Sequence, residues 1–273
     1  MPFESEGWTV IPNFLEAKEI HRLGPALADV LSLARPPCMS RPGNDLVPLR
    51  WSDKIVANIL ASEPRIQKLR DVLRPHDLKW LSGYISTKPP HSPPLWWHQD
   101  WWCWDHPISY QRSASQVAVL CYLTDTSPGN GALRLLPGSH HASTPIHGIL
   151  PEPHGDRANA LPANHAAMAD CPGQKTISVQ AGDAVVIDYR LLHGTHANET
   201  PSRRDCILLS FIPSWRTLPS DIKAHLIAHP ALPSETEVSS RSTCSYRCLF
   251  PQFNGTPASL PVNRLPPANF YVR

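Results

Sequence analysis

Residues 182–212 read GDAVVIDYRLLHGTHANETPSRRDCILLSFI. The run DAVVIDYRLLHGTHAN (183–198), opened by the GD turn, predicts one strand. Alternate residues from Val185 to Thr195 share one face of it, and His193 lies on that face. The second run starts at Arg204, is rich in apolar residues and predicts the next strand. An arginine that faces inward among apolar residues is costly to bury unless it meets an anion. The stretch therefore predicts two strands that direct a histidine and an arginine towards one interior.

Four more β-rich runs lie between turns that contain proline or glycine. Many short strands at this spacing are typical of a sandwich or a barrel, so we predict a mainly β architecture. The interval 141–172 is rich in His, Pro, Ala and Asn and predicts a long loop of the kind that often acts as a lid. The four runs are KWLSGYIST (79–87), SQVAVLCYLTD (115–125), GALRLLPGS (131–139) and QKTISVQ (174–180).

The two ends of the chain differ from this central part. Residues 8–13 (WTVIPN) predict a short strand, and apolar residues at helical spacing predict helices over 15–34 and 52–73. Residues 217–273 are irregular and rich in proline, so we expect them to wrap around the barrel. The prediction is a single domain with three parts: a helical N-terminal part at 1–78, the barrel at 79–216 and the wrap at 217–273.

The composition argues against several kinds of partner. The formal net charge of the 273 residues is +2, only 18% of them are charged, and no block of one sign stands out, so neither nucleic acid nor a membrane is the expected partner. The first residues lack the apolar run of a secretory signal. Seven cysteines, an odd number without a CxxC pair, suit reduced thiols. We expect a cytoplasmic protein whose partner is a small-molecule substrate.

The segment LWWHQDWWCWDHP contains a His-x-Asp triplet, His98 and Asp100. Side chains two residues apart on a strand point to the same face, so these two can bind one metal ion while Gln99 points away. His193 is the best third ligand; its rival, His196, lies three residues later on the opposite strand face. Two histidines and one carboxylate on one side of a metal leave positions open for O₂ and a chelating cosubstrate, which is the arrangement of non-haem iron(II) oxygenases.

Arg204 offers an anchor for such a cosubstrate. Its guanidinium can form paired hydrogen bonds with the distal carboxylate of 2-oxoglutarate, and Thr195 follows His193 at a spacing that lets it bind the same carboxylate. Arg203 is the alternative anchor, and we expect it to face solvent. The candidate metal ligands are therefore His98, Asp100 and His193, and the candidate cosubstrate residues are Arg204 and Thr195.

Five of the nine tryptophans surround the metal motif. Tryptophan fills apolar cores well, but its indole face also binds rings, alkyl chains and cations, so we expect part of this cluster to contact a substrate. Further candidates lie on the strand before the His-x-Asp segment and just after the strand that starts at Arg204. The candidate substrate residues are Trp96, Trp102, Tyr84 and Trp215.

Four segments together resemble the phytanoyl-CoA dioxygenase family of 2-oxoglutarate oxygenases. They are GWTVIPNFL followed by a helix, WHQD, YLTDTSPGNGALRLLPGSHH, and AGDAVVIDYRLLHGTHAN with Arg204, and they span residues 8 to about 212. In that family the HxD pair and a later histidine bind iron, and an arginine eleven residues after that histidine binds 2-oxoglutarate. His193 and Arg204 have this spacing. The resemblance also places Gln116 where family members can contact cosubstrate or substrate.

The resemblance implies a fold and a reaction class. The fold is a double-stranded β-helix, a jelly-roll, cupin-like barrel with flanking α-helices. The reaction uses Fe(II), 2-oxoglutarate and O₂ to hydroxylate, desaturate or dealkylate a small metabolite, releases succinate and CO₂, and belongs to natural-product or specialised metabolism.

Two other classes remain open. The same three ligands can hold zinc and a water in a cupin-type hydrolase or isomerase, although this leaves Arg204 without a role. The third class is a binding or regulatory protein that kept the barrel without turnover, but every ligand that turnover requires is present in the sequence.

Overall fold

The computed structural model describes residues 2–33, 39–41, 43–162, 164–233 and 245–272. Eleven strands and six α-helices occur in the described residues, with short 3₁₀ turns between them. The strands are β1 (Trp8–Ile11), β2 (Met39–Arg41), β3 (Asn44–Leu49), β4 (Lys79–Lys88), β5 (Leu95–His98), β6 (Val117–Tyr122), β7 (Leu133–Leu135), β8 (Lys175–Ile177), β9 (Ala184–Asp188), β10 (His193–Thr195) and β11 (Arg204–Ile212). The helices are α1 (Pro2–Glu6), α2 (Ala17–Ser32), α3 (Lys54–Leu60), α4 (Glu63–Leu73), α5 (Asp156–Asn159) and α6 (Ser220–Leu226).

The strands form two antiparallel sheets that enclose one apolar interior. The larger sheet has seven strands in the order β1-β9-β6-β11-β4-β3-β2, and the smaller has four in the order β5-β10-β7-β8. Residues of both sheets, such as Leu120 of the larger and Leu135 of the smaller, join in one buried cluster between them. This arrangement is the flattened jelly roll that the sequence predicts, so the prediction of a mainly β fold with flanking helices is confirmed.

The larger sheet is buried on both of its faces. On β6, Leu120 faces the smaller sheet, whereas Val119 belongs to a second cluster formed with the helices. On β11, Cys206 and Leu209 divide between the two clusters in the same way. A strand that is covered on both sides needs apolar residues at nearly every position. This explains why the sequence shows continuous runs such as VAVLCY rather than a polar and apolar alternation.

Three helices cover the outer face of the larger sheet. The helix predicted over 15–34 is present as α2, but the one predicted over 52–73 is two helices, α3 and α4. Pro64 is the second residue of α4, a position at which proline is well tolerated because its missing N–H has no helical partner there. The proline therefore starts a new helix where the apolar spacing alone predicts a continuous one.

The N-terminal part contributes strands as well as helices. β1, which the sequence predicts, pairs with β9 and forms one edge of the larger sheet. β3 pairs with β4, and β2 forms the other edge; neither is predicted from the sequence. Pro48 lies within β3 and has no backbone N–H to donate. A proline inside a run argues against a strand, and this is why residues 44–49 are not predicted as one.

The single strand predicted over 183–198 is wrong, because the chain crosses there from one sheet to the other. β9 ends at Asp188, a turn follows, and β10 starts at His193 in the smaller sheet. The Leu191 N–H donates to the Asp188 carbonyl at 2.9 Å and closes the turn. Alternate side chains still face the same interior on both sides of the turn, since Val185 and Leu191 both lie in the cluster between the sheets.

Arg190 holds this crossing in place. Its side chain is 2% exposed and pairs with the carboxylate of Asp188, with an Nη2–Oδ2 distance of 2.7 Å. The same guanidinium donates to the carbonyl oxygens of Ser109, Gln111 and Ser113, which belong to the segment before β6. A buried guanidinium whose donors are satisfied in this way fixes the crossing to the segment before β6.

The C-terminal residues pack over the barrel beside the 102–105 segment. The Asn263 N–H donates to the Trp102 carbonyl at 2.9 Å, and the Trp104 N–H donates to the Asn263 carbonyl at 3.1 Å. Among the described residues, no helix combines the length and apolar character that crossing a membrane requires.

We expect Arg190→Met to lower the free energy of unfolding by about 3–5 kcal/mol, because it leaves the carboxylate of Asp188 buried without its counter-charge. Urea unfolding followed by tryptophan fluorescence measures the change. Lys18→Met is the control, since Lys18 pairs with Glu16 and both side chains are exposed, and we expect it to change stability by less than about 0.5 kcal/mol. Equal effects of the two substitutions would contradict the role assigned to Arg190.

Candidate metal centre and cosubstrate pocket

The His-x-Asp segment is fixed by the turn between β9 and β10. β5 ends at His98, and the N–H groups of Asp100 and Trp101 both donate to the carbonyl of Tyr189, at 3.0 and 2.9 Å. Gln99 points away from the metal side, and its side-chain amide donates to the carbonyl of Arg190. Asp100 is therefore placed by backbone hydrogen bonds just beyond the end of a strand.

β10 brings His193 opposite His98. The two residues are directly paired across β5 and β10. The strands approach closely beside this pair, since a Cβ at Gly194 would lie 2.8 Å from the carbonyl oxygen of Leu95. Glycine at 194 is thus required by the approach of β5, and it allows the two histidines to share one side of the smaller sheet.

The side chains of His98, Asp100 and His193 form a compact group. One ligand atom from each lies within 4.8 Å of the others. The Nε2 atoms of His98 and His193 lie 3.8 and 3.5 Å from the two carboxylate oxygens of Asp100, and the imidazole centroids are 4.2 Å apart. His196, the alternative third ligand, instead pairs its Nε2 with Thr176 Oγ1 at 2.8 Å. The structure thus brings together the three residues chosen from the sequence.

Backbone carbonyls orient both imidazoles. Nδ1 of His98 lies 3.0 Å from the carbonyl oxygen of Trp96, and Nδ1 of His193 lies 3.0 Å from that of Leu191. An Nδ1–H that donates to a carbonyl leaves the lone pair of a neutral imidazole on Nε2, the atom that faces Asp100. Two imidazole nitrogens and one carboxylate on one side of a point form a donor set that fits iron(II).

A fourth histidine, His154, contacts the group from the 141–172 loop. Its Nε2 lies 3.1 Å from Asp100 Oδ1, and its backbone adopts a φ of 68°, a conformation that non-glycine residues rarely take. Burial alone would raise the pKa of the Asp100 carboxyl. The hydrogen bond from His154, together with the attraction of His193 and His98 when these imidazoles are protonated, outweighs burial and holds that pKa well below its usual value. The sequence offers no signal for His154, because its loop position is set by tertiary contacts.

Arg204 lies inside the barrel, as the sequence predicts. The side chain is 3% exposed, and its guanidinium carbon lies 5.5 Å from the ring centroid of Tyr122 on the neighbouring strand β6. Within the described part of the chain, Arg204 Nε and the Tyr122 hydroxyl are buried without a hydrogen-bond partner. Orphaned donors of this kind cost stability unless a ligand satisfies them, and the distal carboxylate of 2-oxoglutarate has the required chemistry. Arg203, the alternative, is exposed and pairs with Asp205 at 2.8 Å.

Thr195 and Gln116 have protein partners in the structure. Thr195 is buried on β10, and its hydroxyl accepts a long hydrogen bond, 3.4 Å, from the N–H of Leu95. The Gln116 side chain accepts from Trp102 Nε1 at 3.0 Å and donates to Ser210 Oγ at 2.8 Å. Gln116 also lines a cavity next to Asp100.

That cavity has a volume of about 190 Å³, and two of the four candidate substrate residues line it. Trp102 and Tyr84 line it. Trp96 lies in a separate buried cluster under the 141–172 loop, and Trp215 is 3% exposed and donates to the carbonyl of Gln252. Trp96 and Trp215 therefore pack in the interior rather than line the cavity.

Comparison with known proteins points to one family. The sequence model of the family described as phytanoyl-CoA dioxygenase (PhyH) matches residues 3–206. The ectoine dioxygenase of Nocardia farcinica is 26% identical over 200 residues, which cover 71% of this chain and 57% of that protein's own length. The L-proline trans-4-hydroxylase of Streptomyces griseoviridis is 24% identical over 225 residues, which cover 75% of this chain and 81% of that protein.

The fold is also found among solved structures. HygX from Streptomyces hygroscopicus, crystallised with nickel and 2-oxoglutarate bound, is 21% identical with a TM-score of 0.55 over 77% of this chain and 84% of that one. This likeness shows that the two chains share the barrel.

We expect His193→Ala to weaken binding of Co(II), measured anaerobically by equilibrium dialysis, by more than the roughly 10–100-fold that loss of an outer partner costs, because it removes a direct ligand. His196→Ala is the matched control three residues away and should bind Co(II) as the wild type does. If the two variants exchanged these behaviours, the third ligand would be His196.

His154→Ala should weaken Co(II) binding by about 10–100-fold, because the Asp100 carboxylate then loses the hydrogen bond that orients it. The same dialysis measures the effect. His165→Ala, in the same loop, should leave the affinity unchanged, since His165 only caps a short turn there by accepting from the Ala167 N–H. Unaltered affinity in both variants would mean that His154 does not position Asp100.

Proposed function

The chain belongs to the phytanoyl-CoA dioxygenase family of Fe(II)- and 2-oxoglutarate-dependent enzymes, and from this membership we propose that it hydroxylates a small polar metabolite. One observation carries the proposal. The cluster of His98, Asp100 and His193 shares the barrel with a buried arginine that has an unsatisfied donor.

The three ligand residues would hold the metal together. His98 and His193 would bind it through Nε2 and Asp100 through its carboxylate, and Asp100 also lines the cavity. Iron bound there, with 2-oxoglutarate and O₂, supplies the oxidising power, while 2-oxoglutarate is converted to succinate and CO₂.

Arg204 and Tyr122 bind the distal carboxylate of 2-oxoglutarate in this proposal. Burial raises the pKa of Tyr122 and outweighs the nearby Arg204 charge, so the hydroxyl keeps its proton and can donate it in a hydrogen bond. The two groups lie on neighbouring strands of the larger sheet, which is packed on both faces and holds them rigidly. Their burial also keeps water away from the carboxylate and strengthens the charge-assisted hydrogen bonds.

The substrate lies in the cavity beside Asp100. The cavity volume of about 190 Å³ corresponds to about six water molecules, which suits a compound of amino-acid size. Two relatives are named for small cyclic metabolites, ectoine and L-proline, and one of these names states a hydroxylation. Trp102 and Tyr84 give the cavity aromatic walls on which such a ring can pack. A role in natural-product or specialised metabolism stays a prediction from the sequence.

A zinc-dependent hydrolase or isomerase on the same barrel is the weaker alternative. Its metal needs only the three ligands and a water. It gives no function to the buried guanidinium of Arg204 or to the hydroxyl of Tyr122, and leaving such groups unsatisfied costs about 1–3 kcal/mol each.

The test is succinate formation by protein purified without oxygen and supplied with Fe(II), 2-oxoglutarate and air. For Arg204→Gln we expect the KM for 2-oxoglutarate to rise at least about thirtyfold, since loss of a buried charged partner costs about 2 kcal/mol or more. Arg203→Gln, at the adjacent exposed position, is the matched control and should leave the KM unchanged.

A second readout does not need turnover. Addition of 2-oxoglutarate to the anaerobic Fe(II) protein should produce a visible metal-to-ligand absorption band, at lower concentration in the wild type than in Arg204→Gln. If neither succinate nor this band is observed with the wild type, the zinc alternative replaces the proposal.

A further inference from the structure

The cavity beside Asp100 is built from two different parts of the chain. One wall comes from the barrel, the turn after His98 and the 141–172 loop, and all of it except Leu208 lies within the residues that match the family. The other wall comes from α6, the residues after it and the C-terminal segment, all beyond residue 206. The barrel-side lining is Leu46, Leu81, Ser82, Tyr84, Asp100, Trp102, Gln116, His154, Tyr189 and Leu208, and the other wall is His225, Leu226, His229, Val262 and Arg264.

The second wall is anchored to the first by specific contacts. The imidazole of His225 stacks on the indole of Trp102, with centroids 4.5 Å apart and planes 21° from parallel. His225 Nδ1 also accepts from the Leu260 N–H at 3.0 Å, which ties α6 to the C-terminal segment. Asn263 then bonds to the backbone on both sides of Cys103, through Trp102 and Trp104. Residue 264 therefore has a fixed position over the cavity.

Arg264 directs a guanidinium at the edge of this cavity. Its Nη1 donates to the backbone carbonyl of Asp100 at 3.1 Å, so the guanidinium is held beside the backbone of a candidate metal ligand. A guanidinium has five N–H donors, and this hydrogen bond uses one. Among the residues that the structure describes, no Asp or Glu side chain forms an ion pair with Arg264.

The other titratable groups of the cavity do not compete with Arg264 for an anion. Burial and the neighbouring His225 lower the pKa of His229 to about 4, and burial lowers the pKa of His225, so both are mainly neutral near pH 7. Asp100, the single carboxylate of the lining, belongs to the metal group. His154, the third imidazole of the lining, is paired with Asp100. Among the described lining residues, Arg264 is therefore the one arginine or lysine that an anion in the cavity can meet.

We infer that the substrate is a small carboxylate, held by Arg264 through its carboxylate group, with its body against Trp102 and the leucine walls beside Asp100. This inference rests on the proposed function, because it assigns the substrate of the same site. Paired hydrogen bonds from a planar guanidinium suit the two oxygens of a carboxylate and orient the molecule as well as bind it. The anchored end then determines which carbon of the substrate lies next to the metal.

The experiment compares acids with their uncharged isosteres. The protein is loaded with Ni(II) and saturating 2-oxoglutarate, so that no turnover occurs and the Arg204 site is filled. Benzoate, cyclopentanecarboxylate and the primary amide of each are then titrated by calorimetry. We expect at least one acid to bind at least about tenfold more tightly than its amide, the lower limit for a hydrogen bond to a charged group.

Variants assign the preference to Arg264. Arg264→Gln should remove the advantage of the acid and leave the affinity of the amide unchanged, whereas Arg264→Lys should keep part of it. Arg216→Gln, an exposed arginine outside the cavity, is the matched control and should behave as the wild type. A thermal melt of each variant checks that the C-terminal segment still packs.

Several outcomes would overturn the inference: equal affinities of acid and amide, no binding of either acid in the millimolar range, or an acid preference that survives in Arg264→Gln. Binding of 2-oxoglutarate to the Ni(II) protein is recorded first and separates the two proposals. Its failure counts against the proposed function, and the acid and amide comparison then tests Arg264 without 2-oxoglutarate.

Discussion

The ion pair between Asp188 and Arg190 is the contact on which the rest of the site depends. Both side chains are almost fully buried, and a charge taken out of water is very costly unless its partner and its hydrogen bonds are well placed. Here the arginine meets one carboxylate and three backbone carbonyls. Such a group tolerates few arrangements of the surrounding chain, so the crossing from the larger sheet to the smaller one occurs at one place with one geometry.

The metal group inherits its geometry from this crossing. The carbonyls of Tyr189 and Arg190 receive the donors of the His-x-Asp segment, and three residues further on β10 presents His193. Two ligands that are distant in sequence are thus held by a single turn. Backbone carbonyls orient the imidazoles of His98 and His193, and His154 contacts the Asp100 carboxylate. A site of this kind can be predicted from the spacing of its motifs because the motifs include the residues of the turn.

Much of the barrel and its three metal-facing residues can be predicted from the sequence, because periodicity and motif spacing are local properties. The strand assigned to 183–198 is wrong as one element, yet His193 keeps the expected side because the turn preserves the alternation. Apolar spacing misses the start of α4 at Pro64, and it misses β3, which contains Pro48. Tyr122 and His154 cannot be found in this way, since no pattern in the sequence links them to the ligands, and only packing brings them there.

The residues for the oxidation chemistry and those that face the substrate from the far wall of the cavity lie in different parts of the chain. Fe(II) needs ligands with strict geometry. His98 and His193 lie at strand ends of the smaller sheet and Asp100 lies just beyond one of them, all within the part of the chain that matches the family. The far wall of the cavity needs only to close over the metal, and it comes from a short helix and an irregular segment beyond residue 206. Irregular segments change sequence without disturbing a sheet, because few strand hydrogen bonds depend on them. Arg264 is fixed through Asn263 to the backbone after the His-x-Asp motif, so an irregular segment still places one charge at a defined position beside the metal group. Changes in this segment can therefore alter which molecule is oxidised while the oxidising centre stays the same.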